Sequence, residues 1–209
     1  MGVRGVRLAM THPDLLDEQL AALAEAGREA EGIAVMAPMV ATPEEADWFA
    51  DRVRASGGGN VEIGVMVEVP SAVLCAEELA ERLDFLSIGT NDLAQYVHAA
   101  DRREAQLSGL QDPFHPALLR SVGMVCRAGA DKRAWVGVCG EAASDPAWAL
   151  LAVGMGVGEL SMSAESILEV RAAIARRSYE ECRAAAAEAL RAPDAGSARA
   201  VALSLLQER

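Results

Sequence analysis

The sequence predicts an α/β protein built on a parallel sheet, and three observations carry that prediction. Short apolar runs recur without the polar alternation of a half-solvated strand. Helix-start signals follow the runs, and a polar residue stands where most of them end. At 209 residues the chain can bury a sizeable core, and it fits one domain better than two.

Taken in order, Gly5 to Met10 reads as a short, weak first strand, and Thr11-His12-Pro13 opens an amphipathic helix, Leu15 to Ala26. Ile33 to Met39 (IAVMAPM) is the second strand; Thr42-Pro43-Glu44-Glu45 then supplies an N-cap with proline and acids in the first turn. Gly57-Gly58-Gly59 ends that helix. Glu62 to Val69 (EIGVMVEV) is the third strand, with a helix from Pro70 through Leu83, and Asp84 to Gly89 is the fourth. Pro116 to Ala128 is helical, Trp135 to Cys139 (WVGVC) is the fifth strand, and Asp145-Pro146 caps another helix. Glu159 to Met162 (ELSM) is the sixth strand. The tail from Asp194 to Arg209 reads as a helix with Val201, Leu203 and Leu206 apolar. Six such units fit either an open doubly wound sheet or part of an eight-fold barrel. Neither a GxGxxG nor a Walker loop follows the first strand, so the nucleotide-binding form of the open sheet lacks support.

Composition narrows the function classes. A hydrophobic fraction of 52% with 24% charged residues belongs to a globular chain rather than a disordered one. The net charge of −12 argues against a basic nucleic-acid face. Cys75, Cys126, Cys139 and Cys182 lie far apart with no CxxC pair, which argues against a zinc site or a disulfide framework. No apolar run approaches the ~18 residues of a membrane span, and no leader pattern opens the chain, so a reducing cytoplasm is expected.

The polar punctuation carries the chemistry. Glu68 ends MVEVP, Asn91 and Asp92 end GTND, Cys139 ends WVGVC, and Ser161 and Ser163 end SMS. In a parallel α/β protein these ends share one surface, where sites are built. A strand must turn polar where it leaves the core, and Ser161 or Ser163 alone reads as a turn or cap residue. Two carboxylates among four such ends are harder to dismiss, because at one opening they either repel or share a cation. Mg²⁺ takes one or two carboxylates and fills its other positions with water and substrate phosphate. Arg102 reads either as a surface charge beside Arg103 or as a bidentate anion holder. A straight helix across the ten intervening residues would carry it ~15 Å from Asp92, so the segment must bend if Arg102 is to return. Cys139 sits in a Gly-rich turn and is open between buried filler and catalyst. Glu141 could orient a neighbour by hydrogen bonding.

GVMVEVPSA, DFLSIGTNDLAQY followed by AADR, DPFHPALL, WVGVCGEAA and ELSMSAESILEVR together resemble one family. It is the phosphoenolpyruvate (PEP)-binding C-terminal domain of enzyme I, the PEP–protein phosphotransferase of the bacterial sugar phosphotransferase system. The resemblance runs from about Gly2 to about Leu190. GTND and CGE are shared with pyruvate phosphate dikinase and PEP synthase, whereas SMSAESI and HPALL are closer to enzyme I. It implies a (β/α)₈ TIM-type barrel of which this chain supplies about strands three to eight, as residues 1–190, followed by a helical tail over 191–209. It further implies that Glu68 and Asp92 ligate Mg²⁺ and that Asn91, with the Asn–Asp backbone, contacts PEP. Arg102 and Arg4, the latter from GVRGVR, would hold phosphate or carboxylate, and Cys139 would protonate the methylene carbon to give pyruvate.

The family's first barrel strands and its phosphoacceptor-histidine domain do not appear. His12, His98 and His115 lack the Gly-rich Ser-His setting used for phosphotransfer. The chain is therefore expected to reach a phosphocarrier protein only through a missing N-terminal domain and not to be competent alone. Open sheet edges lead us to expect self-association or partial disorder unless another polypeptide completes the barrel, and the resemblance implies a homodimer, because the family's enzymes dimerise through this domain. The alternatives are a stand-alone Mg²⁺-dependent lyase acting on a pyruvate enolate, and a non-catalytic dimerising fragment.

Overall fold

A computed structural model describes residues 2–29, 32–57 and 61–207. Gly58, Gly59, Glu208 and Arg209, on which parts of two expectations fell, lie outside the described residues.

The expected first strand is a helix, α1 (Val6–Thr11). Arg7, Leu8, Ala9 and Met10 are strong helix formers, and only Val6 of the segment is buried, so the short run has no second face to bury in a sheet. Helix α2 (Pro13–Glu29) follows, and then β1 (Ile33–Ala37). Helix α3 (Pro43–Ala55) starts as the sequence predicts: Thr42 accepts the Glu45 amide and Pro43 opens the first turn. Strand β2 is Val61–Val67. The single helix expected after Pro70 is two, α4 (Pro70–Leu74) and α5 (Ala76–Ala80), broken at Cys75.

Strand β3 (Phe85–Gly89) leads directly into α6 (Thr90–Val97). A 3₁₀ turn, Ala105–Gln111, precedes α7 (Pro116–Lys132), whose N-cap is His115. Strand β4 (Trp135–Cys139) is followed by α8 (Pro146–Met155), capped by Asp145. Strand β5 is only Glu159–Leu160, shorter than expected. Helices α9 (Ala164–Ile174), α10 (Tyr179–Ala189) and α11 (Ala195–Gln207) complete the chain. Helix α8 is apolar nearly all round and packs against α9, α10 and α11. The expected tail helix packs on the domain, with Ala198 and Ala202 fully buried.

The five strands are parallel and lie in the order β1-β2-β3-β4-β5. This is the singly wound order of a barrel arc; a doubly wound sheet would reverse order at a switch point. Among the described residues the arc holds five strands rather than six, because the first expected strand is helical.

The register sorts side chains into two unlike faces. Val65, Leu86 and Val136 form one row and Val67, Ile88 and Val138 the next, and both belong to the main aliphatic core with Leu79, Leu119 and Val122. The opposite face mixes sizes: Gly64, Phe85 and Trp135 in one row, Met66, Ser87 and Gly137 in the next. Phe85 and Trp135 stack at 4.3 Å between centroids, and Phe85 lies flush on Gly64. A Cβ on Gly64 would lie 2.5 Å from the Phe85 ring, which Trp135 keeps from moving aside. Gly64→Ala is therefore expected to cost about 1–3 kcal/mol by overpacking. At roughly 2–4 °C per kcal/mol for a chain of this size, thermal melts will show the loss, and an unchanged Tm would contradict the stacking.

Candidate functional site

One more row continues this second face at the C-terminal ends of the strands. Val67 pairs with Ile88 and Gly89 pairs with Cys139, so Glu68, Gly89 and Cys139 stand side by side. Gly89 carries no side chain, and a Cβ there would come 3.1 Å from both Cβ and Oε2 of Glu68. The acid and the thiol thus flank a bare stretch of backbone.

Glu68, Ser87 and Thr90 are the buried polar side chains among the described residues, and all three converge here. Glu68 is 5% exposed, and its Oε1 accepts the Met39 amide at 2.7 Å. Met39 adopts a left-handed backbone, φ 59°, rare for a residue with a side chain. Ser87 Oγ donates to Cys139 Sγ at 3.9 Å, and Thr90 Oγ1 donates to the Cys139 carbonyl at 2.9 Å. Gly140, at φ 103°, lets the chain pass so close to Thr90 and Asn91 that a Cβ would collide with the threonine hydroxyl. The Glu141 amide donates to Asn91 Oδ1 at 3.2 Å, so the Asn91 amino group remains as a donor. Glu141 orients its neighbour through its backbone.

Asp92 lies in the first turn of α6. That helix ends after eight residues, and Ala99 at φ 50° reverses the chain. The Arg102 amide donates to Gln95 Oε1 at 3.1 Å, and Arg102 Nη1 lies 3.8 Å from Asp92 Oδ2. This is the bend that a return of Arg102 requires. Arg4 also reaches the site: its Nη1 donates to the Tyr96 hydroxyl at 3.4 Å, and its charge acts on Glu68. Its neighbour Arg7 instead pairs with Glu45 at 2.7 Å. All six residues singled out in the sequence (Arg4, Glu68, Asn91, Asp92, Arg102 and Cys139) therefore fall in one region. Ser161 does not join them and donates to Glu159 at 2.7 Å.

The electrostatics follow from burial. Burial raises the Glu68 pKa above the ordinary carboxyl value; the Met39 amide opposes this, Asp92 adds to it, and Arg4 and Arg102 oppose it. Burial also raises the Cys139 thiol, partly offset by the Ser87 hydroxyl, with Glu68 and Glu159 adding to the rise. Cys126, packed in the core, is pushed up to about 12. The cysteines thus separate by surroundings: Cys139 lies beside two acids and a hydroxyl at a strand end, whereas Cys126 and Cys182 are buried away from the site.

No group of three or more His, Cys, Asp or Glu side chains among the described residues is placed to hold a metal ion. Glu68 and Asp92 form a pair, which suits a hard cation that draws its remaining ligands from water and substrate and does not suit a zinc cage. Beside them opens a polar cavity of about 590 Å³, lined by Asn91, Arg102, Gln111, Glu141, Asp145 and Arg199 among others.

Sequence reasoning missed Met39, Ser87, Thr90, Tyr96 and Arg199. Ser87 is the lone polar residue inside an apolar strand and Tyr96 stands one helical turn after Asp92; both were signals. Met39 and Arg199 had none.

The model of the PEP-binding domain of PEP-utilising enzymes matches residues 1–179. The chain belongs to this family. The PEP-protein phosphotransferase of Streptomyces coelicolor is 47% identical over 210 residues, which cover 99% of this chain and 37% of that protein. The multiphosphoryl transfer protein of Rhodobacter capsulatus is 41% identical, over 95% of this chain and 24% of its own length. The PEP-protein phosphotransferase of Mycoplasma pneumoniae is 40% identical, over 91% and 34%. This PEP-binding domain thus spans between 24% and 37% of the length of these relatives.

The buried acid of the PEP-binding domain gives a stability test. A carboxyl whose folded pKa lies above its unfolded value stabilises the fold while protonated, and that contribution disappears as pH rises through the folded pKa. Ionised Glu68 therefore works against folding at neutral pH. Glu68→Gln keeps an acceptor for Met39 and removes the charge, so Tm should rise by roughly 2–4 °C near pH 8, the shift that about 1 kcal/mol produces. The gain should vanish near pH 4, where the wild-type carboxyl is already protonated. Melts showing the same gain at both pH values would contradict the assignment.

Proposed function

We propose that this chain binds PEP and, with Mg²⁺, releases its phosphoryl group to a histidine acceptor, leaving pyruvate, as the PEP-binding part of a PEP–protein phosphotransferase. The observation that carries the reading is the row Glu68–Gly89–Cys139, with Asn91 and Asp92 one turn away: an acid pair for a cation, an amide for the substrate, and a thiol for a proton.

Glu68 and Asp92 would hold the cation, which supplies positive charge where the enol oxygen becomes negative. The planar guanidinium groups of Arg102 and Arg4 pair with phosphate and carboxylate oxygens, and the Asn91 amino group donates to the substrate. As the bond from phosphorus to the enol oxygen breaks, the phosphoryl group goes to the acceptor and the electron pair stays on the organic fragment. Carbon three then takes the Cys139 proton, and the thiolate regains one from water. A thiol whose pKa is raised by burial is protonated at neutral pH and ready as the acid. From there the phosphoryl group passes to a phosphocarrier protein of a sugar phosphotransferase system. A homodimer and a cytoplasmic setting belong to the same reading. The four cysteines are free thiols, and no helix among the described residues is long and apolar enough to cross a membrane.

The reverse half-reaction tests the reading without any acceptor. Pyruvate methyl protons should exchange into deuterated water only with Mg²⁺ present, and Cys139→Ala should lower the rate about 10²–10⁴-fold. Exchange needs the thiolate, so the rate should rise close to tenfold per pH unit and level off only above the ordinary cysteine pKa. Exchange that survives Cys139→Ala, or that ignores Mg²⁺, would overturn the proposal.

A further inference from the structure

Arg199 lies on α11, beyond the residues matched by the family model, yet it lines the polar cavity beside Asn91 and Arg102. Its guanidinium meets three groups at once. Nη2 lies 2.9 Å from Asp112 Oδ1, Nη1 lies 3.9 Å from Asp145 Oδ2, and the guanidinium carbon stands 4.2 Å above the centre of the Phe114 ring. Each partner is itself fixed. Asp112 Oδ1 accepts the Phe114 amide, Asp145 Oδ1 accepts the Ala147 and Trp148 amides, and Phe114 is fully buried. The Trp148 indole donates to the Pro113 carbonyl at 3.0 Å, tying the same loop to α8.

From this junction a short path leads to the site. Gln111, next to Asp112, donates from Nε2 to the Ala100 carbonyl at 2.8 Å. Ala100 lies in the turn that begins at Ala99 and returns the chain to Arg102, whose guanidinium is 3.8 Å from Asp92. The two ends of the loop are joined separately, by His98 Nε2 to His115 Nδ1 at 2.9 Å. Arg199 therefore restrains the body of the loop and the histidines its base.

We propose that Arg199 is a positioning residue of the PEP site: from α11 it clamps the loop between Ala99 and His115 to the start of α8, and through Gln111 and Ala100 it fixes the turn that returns Arg102 to Asp92. The proposal rests on the PEP reading of the site. It assigns α11 a part in substrate binding, so a truncation that removes this helix weakens PEP binding as well as the packing around α8.

The test uses the whole chain with Mg²⁺, PEP titrations by calorimetry, and hydrogen–deuterium exchange read peptide by peptide. Arg199→Ala should weaken PEP binding about tenfold to a hundredfold, the scale of a misplaced positioning group. Amide exchange should quicken in residues 99–111 and stay unchanged in β2, β3 and β4. Arg199→Lys keeps the charge but loses the planar stack and fork, and should recover only part of the affinity. Because Arg199 acts through Arg102, adding Arg199→Ala to Arg102→Ala should weaken binding little further, whereas independent roles would multiply. Full additivity, or unchanged affinity in Arg199→Ala, overturns the proposal. Asp112→Asn cuts the same clamp from the other side, and normal protection of residues 99–111 in both variants overturns it too. If the wild-type chain does not bind PEP, the site reading fails and the positioning role fails with it; amide exchange then decides the clamp alone.

Discussion

A carboxylate held almost out of water is the constraint on which the site depends. Removing an ion from water costs several kcal/mol unless the surroundings replace its hydration. For Glu68 the replacement is partial: the Met39 amide donates to one oxygen and the charges of Arg4 and Arg102 act on the group, yet burial still holds its pKa above the ordinary carboxyl value. Met39 must take a left-handed backbone for this, and such a conformation costs of order 1–3 kcal/mol. A fold selected for stability alone has no reason to keep an acid and a strained residue in contact at the end of a core strand. A cation shared by both carboxylates, as proposed, would give one.

Sheet register turns that local arrangement into a site. In a parallel sheet a shift of one residue would send every side chain of a strand to the other face. The aliphatic rows Val65–Leu86–Val136 and Val67–Ile88–Val138 lock the register on one side. The same lock places Glu68, Gly89 and Cys139 abreast on the other. Core packing and site geometry are thus set by one alignment, and small residues on the second face leave room where the polar groups need it. The stack of Gly64, Phe85 and Trp135 closes the opposite end of that face.

The sequence made the strands from Ile33 onward legible because they are short, apolar and bounded by proline, glycine or acid. It is misleading at Gly5 to Met10, where the apolar run consists largely of strong helix formers and Leu8 and Met10 find no burial partner. Glu68, Asn91, Asp92 and Cys139 were visible as polar residues ending core strands. Arg102 was visible only as a residue that had to return, and the hinge at Ala99 that returns it carries no glycine to mark it. Met39 contributes a backbone amide, which no side-chain pattern reports. Arg199 contributes through tertiary contacts of a helix that looks, in sequence, like an ordinary amphipathic tail.

The central claim is that one cation site lies between Glu68 and Asp92 and faces Cys139 across Gly89. Anomalous diffraction from crystals grown with Mn²⁺ and PEP tests it most directly. The account predicts a single strong peak bridged by these two carboxylates, with the substrate between Arg102 and the Cys139 sulfur. A peak elsewhere on the chain, or substrate bound with neither acid in contact, would contradict it.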